Sequence, residues 1–227
     1  MILTLTLVVA LAAELAPPSA EEIELWLTYY YLKPRPELTL SSLTVMEREL
    51  QKTGHSLAGE VDRGGMRSFY ARVFAQNDAL VEDVAAKLPS LPAEQQAFVR
   101  EALRRCGTPA CAQLIDKSPP SAVNPQGVDP GTLDDSWASF FATGDAKYVR
   151  EIIEVLAWSE LRGEVDRLLT GGAARWSLAS NAYQHSRVLA ICEEAVRTAV
   201  DPTKRLLQEI IDQAKAERAK DPPPEPK

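Results

Sequence analysis

Apolar residues recur at intervals of three and four along nearly the whole chain, and runs alternating with period two are missing. That periodicity belongs to amphipathic helices, whose turn of about 3.6 residues brings such positions onto one face. It predicts an all-α protein of about ten helices, arranged as antiparallel hairpins in an α-solenoid-like stack or an irregular helical bundle.

Helix ends can be read from their chemistry. Ser19 followed by Glu22 forms a capping box that opens a helix carrying Ile23, Trp26, Leu27 and Tyr30. Pro92 and Gly107 bracket another helix in the usual asymmetry of Pro at the start and Gly just past the end. Asp201-Pro202 opens the last, which runs through Leu206, Leu207, Ile210 and Ile211. Breaks fall at Pro34, Asn77, Thr108, Gly144 and His185, with spacings of 43, 31, 36 and 41 residues. Those spacings lie in the range of helical-hairpin repeats. Gly144-Asp145 therefore reads as a corner, the Gly ending one helix in a left-handed conformation and the Asp capping the next. "GEVDR" occurs twice, at 59–63 and 163–167, through duplication of a hairpin unit or through chance.

The Pro- and Gly-rich stretch "DKSPPSAVNPQGVDPGTL" interrupts the helices, and a structureless run of that length is uncommon inside a domain. The expected organisation is a signal peptide at 1–20, a helical half at 21–117, a connection at 118–132, a second helical half at 133–220 and a solvated tail at 221–227. The signal reading rests on the apolar run 2–13, twelve residues long. As a helix they span about 18 Å, too short for a stable membrane span, and small residues follow at Ala10, Ala12 and Pro18-Ser19-Ala20. No Lys or Arg stands near the start. The expected location is periplasmic or secreted; if 2–13 were instead a buried helix, it would be cytoplasmic.

Composition narrows the classes. The 227 residues are 45% hydrophobic and 25% charged, as in ordinary globular proteins. The net charge of −7, with Arg and Lys scattered among acids, argues against nucleic-acid binding, which needs a basic face. The two histidines, His55 and His185, have no His or Cys within five residues, so no metal site or cofactor is expected, and His185 reads as a capping or surface residue. Phosphate-binding loops, nucleophile elbows and dinucleotide fingerprints are missing from the sequence. Glu60 with Asp62, and Glu164 with Asp166, are the only acid pairs considered for glycoside chemistry.

The remaining signals are aromatic and sulfur residues. Trp137, Phe140 and Phe141 have the spacing of a core stripe. Trp26, Tyr29, Tyr30 and Tyr31 span more than one helical face, which marks the four as candidates for an interface, Tyr29 and Tyr31 falling off the inward stripe. Ala174, Ala179, Ser180 and Ala182 read as small residues packed around Trp176. Cys106 and Cys111 bracket a four-residue corner and are expected to pair, whereas Cys192 sits on an apolar face and reads as buried and free.

"FFATGDAKYVREII" and "ARWSLASNAYQHSRVL" resemble stretches of an uncharacterised family of exported bacterial all-helical proteins, and the chain is loosely similar to helical repeats of the tetratricopeptide or HEAT kind. The resemblance implies fold and compartment and no activity. Two functions are expected from these signals. The first is a non-enzymatic module binding a protein or peptide partner in the bacterial envelope. The second is a hydrolase with dispersed carboxylates acting on an envelope or surface polymer. Two converging carboxylates in a cleft would favour the hydrolase.

Overall fold

A computed structural model describes residues 17–57, 65–115 and 128–223. The first copy of "GEVDR", residues 2–13 of the expected signal, and most of the Pro-rich connection lie outside the described residues. Within them the chain is all-α, with eleven α-helices and no strand. They are α1 (Ala20–Tyr29), α2 (Thr39–Lys52), α3 (Gly65–Ala75), α4 (Asp78–Lys87), α5 (Ala93–Cys106) and the short α6 (Pro109–Ala112). After the connection come α7 (Pro130–Thr143), α8 (Ala146–Glu154), α9 (Val165–Gln184), α10 (Ser186–Ala195) and α11 (Thr203–Lys220). Three 3₁₀ turns, at Pro36–Leu38, Leu88–Ser90 and Leu156–Glu160, link them.

All five expected breaks are junctions between helices. At the Gly144-Asp145 corner, Gly144 takes φ 67° as the end of α7, and the Asp145 side chain accepts the Lys147 amide at 2.9 Å to start α8. The Ser19 cap is half as expected. Its hydroxyl accepts the Glu22 amide at 3.0 Å, but the Glu22 carboxylate turns away to Arg35 at 2.7 Å. A complete capping box exists instead at Asp129 and Thr132, opening α7.

Two buried clusters form the core. One joins α1–α6 through Ile23, Leu43, Phe69, Tyr70, Phe74 and Phe98. The other joins α7–α11 through Leu133, Trp137, Phe140, Ile152, Leu178 and Leu206. Helix α7 belongs to both: Ala138 and Ala142 face the first cluster, Leu133, Trp137 and Phe140 the second. It begins at Pro130, inside the stretch read as connection, and lies along α3 in the most extensive helix pairing of the fold. The α3–α7 seam is fixed by Ser68 Oγ donating to Asp135 at 2.7 Å, Arg72 Nε to Ser139 Oγ at 3.3 Å and Gln76 Nε2 to the Ala142 carbonyl at 3.1 Å. A solenoid would stack each hairpin only on its neighbours. The α3–α7 pairing skips past α4–α6, which is the geometry of an irregular assembly.

At the α5–α6 corner a disulfide joins Cys106 to Cys111, with Cα atoms 6.2 Å apart. Gly107 at φ 76° turns the chain, and Thr108 caps α6. Cys192 is buried and free, its thiol pushed up to about 12 by burial and then by Glu193.

One glycine is required by packing. A Cβ on Gly171 of α9 would lie 2.1 Å from the Ser159 backbone nitrogen, so α9 rests directly on the 3₁₀ turn Leu156–Glu160. A Cβ on the adjacent Gly172 would meet nothing within 4 Å. In urea melts of the full chain, Gly171→Ala should therefore lower stability by roughly 2 kcal/mol or more, although Ala is the better helix former. Gly172→Ala should raise it by roughly 0.5–1 kcal/mol. Equal responses at the two sites would sink the close-approach account.

The disulfide closes a loop of sequence separation 5, for which chain entropy gives about 2 kcal/mol. Replacing both Cys106 and Cys111 by Ser should cost that amount. Alkylation of the denatured, unreduced chain should label Cys192 alone, and labelling of all three cysteines would contradict the pairing.

Candidate functional site

The aromatic residues of α1 are not an interface. Trp26, Tyr29 and Tyr30 are 5, 3 and 2% exposed, and Tyr31 is half-buried. The end of α1 is enclosed on several sides, so residues pointing in different directions are all covered. The indole of Trp26 donates to the Arg35 carbonyl at 3.0 Å and meets Tyr30, Phe69 and Tyr70 edge-on. Tyr30 receives a hydrogen bond from Asn77 Nδ2 at 3.4 Å. Tyr29 and Tyr31 point the other way, toward the second core. The Tyr31 amide donates to the Phe141 carbonyl at 3.0 Å, and its ring lies 5.0 Å from that of Phe140. The single-stripe argument failed because α1 has two packing partners rather than one.

His185 is likewise the opposite of a surface residue. It is 0% exposed, ringed by Tyr29, Tyr31, Phe140 and Phe141, with ring centroids 5.0 to 6.4 Å away. Its Nδ1 shares a hydrogen bond with the Tyr31 hydroxyl at 3.1 Å, while Nε2 is buried with no hydrogen-bond partner. Burial, followed by the Arg218 charge, lowers its pKa to about 4, so the ring is neutral at pH 7. A neutral aromatic ring in an aromatic cage is packing, and it sits where α1, α7 and α9 meet.

The buried charges are also structural. Arg67 and Glu101 are both buried and 4.0 Å apart, and Glu101 also pairs with Arg104 and, at 3.4 Å, with Arg105. Arg105 reaches Asp135 of α7 at 3.8 Å, extending the network across three helices. Such a cluster resists the loss of any member, because removal leaves a buried charge uncompensated.

Among the described residues, three of the surface clefts are candidates for chemistry. One of about 430 Å³ is lined by Leu27, Met46, Glu49, Leu50, Leu57, Met66 and Phe98. A second of about 310 Å³ shares Leu27 and Met66 and adds Phe69, Trp137, Phe141 and Asp134. The third, about 390 Å³, lies between α10 and α11 and is crossed by the Lys215–Glu193 ion pair at 2.6 Å. Each is lined by one carboxylate. Asp134 has a raised pKa, through partial desolvation and then the Asp135 and Asp129 charges, but stands alone in an apolar wall. Glu164 pairs with Arg167 at 3.0 Å on the surface, and Asp166 is exposed beside it; Glu60 and Asp62 lie outside the described residues. Among the described residues no group of three or more His, Cys, Asp or Glu could hold a metal ion, and no helix is long and apolar enough to cross a membrane.

The surface feature that stands out is on α9, and the sequence pattern concealed it. The helix buries Thr170, Gly171, Ala174, Leu178 and Ala182. Its opposite face carries Val165, Leu169, Gly172 and Trp176, spaced four, three and four residues apart. At about 100° per residue these four fall within roughly 60° of one another. Val165 is 66% exposed, Leu169 61% and Trp176 75%. Trp176 is therefore not held by Ala174 and Ala182, which point into the core on the far side of the helix. Periodicity marks α9 as helical but cannot tell which of two apolar faces is buried. The signal that could have done so is the Gly171-Gly172 pair, where one face demands contact and the other leaves room.

No protein-family model, curated protein or solved structure matches this chain.

The His185 cage makes stability depend on pH. The unfolded chain takes up a proton near 6.5, and the folded one resists it to about 4. The contribution is therefore complete above the unfolded value and is lost as pH falls through the window between the two. Between pH 7 and pH 5 the loss should be about 2 kcal/mol. His185→Phe should flatten the urea midpoint over that interval relative to the parent chain. An unchanged slope would show that His185 does not titrate between folded and unfolded states.

Proposed function

We propose that this protein is a non-enzymatic α-helical module, periplasmic or secreted, that binds a partner protein or peptide along the exposed face of α9. The observation that carries the proposal is the alignment of Val165, Leu169, Gly172 and Trp176 on one solvent-facing stripe. Single exposed apolar residues are ordinary on protein surfaces. A contiguous run of large ones marks an interaction site. A four-three-four spacing is the pattern by which one helix receives another, with side chains of one seated between those of its partner. The clefts lined by described residues carry one carboxylate each, which favours binding over the hydrolase reading there, since inverting and retaining mechanisms both need an acid pair. The Cys106–Cys111 disulfide supports an oxidising compartment.

Photo-crosslinking in the producing cell tests the site. The full chain should carry benzoylphenylalanine at Leu169 or, as a control, at Lys204, which is exposed on α11. Protein-sized adducts are expected from position 169 and not from 204. No adduct at 169, or equal adducts at both, would overturn the binding reading. Trp176→Ala should leave the thermal midpoint within about 2 °C, as for a solvated side chain. Tyr29→Ala should cost roughly 3–5 kcal/mol, as for a buried aromatic.

A further inference from the structure

The exposed stripe is its own complement, and we infer that the partner of α9 is the α9 of a second copy of this chain, paired antiparallel about a two-fold axis level with Thr170 and Gly171. The inference rests on the binding role assigned above to this face and adds the identity of the occupant. Antiparallel pairing centred there sets Leu169 of one copy opposite Gly172 of the other, and Val165 opposite Trp176. Each layer joins a large side chain to a small one. The space above Gly172, where an added Cβ would meet nothing within 4 Å, is the hole that Leu169 of the second copy fills. Parallel pairing would instead set Trp176 on Trp176 and Gly172 on Gly172, a bulge beside a void, so shape selects the antiparallel register. Alternation of large and small across facing positions is how packed layers interdigitate.

Charge agrees with the same register. Glu164 and Arg175 lie on one flank of the stripe, and in an antiparallel pair each flank faces the same flank of the partner. Glu164 of one copy then lies within two residues of the level of Arg175 of the other. Both side chains are about half exposed and pair at the surface with Arg167 and Glu209 respectively, so either can be shared with a second copy. A two-fold interface uses one patch twice, so both contacts form twice. The stripe from Val165 to Trp176 runs only about 17 Å along the helix. An interface of that length falls at the small end of specific contacts, below about 1,200 Å². The dimer should therefore form in roughly the micromolar to submillimolar range rather than below it.

Sedimentation equilibrium of the full chain, from roughly 1 to 500 μM, should show a reversible monomer–dimer equilibrium. Gly172→Glu and Trp176→Ala should each weaken it at least tenfold, with helical circular dichroism and melting preserved at low concentration. Register is read by cysteines under mild oxidation. Leu169→Cys combined with Gly172→Cys should give a covalent dimer, and Leu169→Cys alone should not. A covalent dimer from Leu169→Cys alone would establish the parallel arrangement and overturn the proposed one. A chain that stays monomeric throughout overturns the inference. The photo-crosslinks separate this failure from that of the binding role. Adducts at Leu169 of masses other than twice the chain keep the binding face and remove the self-pairing. No adduct removes both.

Discussion

Helix α7 must be buried on two sides at once, and the rest of the fold follows from how it manages this. Its side toward α3 presents Ala138 and Ala142, so the two backbones approach closely enough for side chains to bond across the seam. Its other side presents Leu133, Trp137 and Phe140, which fill a wider gap to the helices that follow. Small residues on one face and large on the other let one helix serve two cores of different depth. Phe141 sits between those faces, packs against both clusters and receives the Tyr31 amide on its carbonyl. Tyr31 then carries the connection on to His185. The chain from α1 through α7 to the α9–α10 corner is thus one continuous contact, and the two cores cannot separate without exposing an aromatic cage.

This explains where sequence reading succeeded and where it did not. The corner at Gly144-Asp145, the break at His185 and the left-handed Gly107 depend on a few adjacent residues, and local chemistry decides them. The disulfide sits at one such corner. The fate of Trp26, Tyr29, Tyr30 and Tyr31 depends on distant partners, among them Asn77, 47 residues from Tyr30, and His185, 154 residues from Tyr31. A helix with one neighbour buries one stripe, and that assumption assigned Tyr29 to the surface. His185 misled for the same reason: a corner is usually exposed, but this corner is tucked beneath α1. On α9 the failure ran the other way, because two apolar faces in sequence became one buried and one solvated face in space.

The contrast between α1 and α9 also bears on function. Both helices carry more apolar surface than one core face needs. At α1 the fold covers the aromatic excess, at the expense of ordering several rings, and leaves Leu25 exposed. At α9 it leaves Val165, Leu169 and Trp176 in water, where burying each would return roughly 1.5–3 kcal/mol. Nothing in the local backbone demands hydrophobic residues on that face, since the helix is already held by Gly171, Ala174 and Leu178 beneath. Polar residues there would fold equally well and dissolve better. The binding role proposed for this face would account for an apolar choice that the monomer does not need.

The self-pairing inferred for α9 would have to contend with the charge of the chain. Each copy carries −7, and two such bodies repel. The repulsion reaches only about a Debye length, near 8 Å at physiological salt, so what matters is the charge close to the contact. Helix α9 holds one acid, Asp166, and two bases, Arg167 and Arg175, and with Glu164 at its N-cap the charges around the stripe balance. Its basic residues are moreover placed outside the stripe, leaving the four contact positions uncharged. Of the long helices, α11 is the other candidate for a paired surface, but its exposed side is studded with Glu209, Asp212 and Glu217 beside Lys and Arg, and bears no aligned apolar side chains. Among the described helices, the stripe on α9 thus offers apolar contact with no charge at its four contact positions.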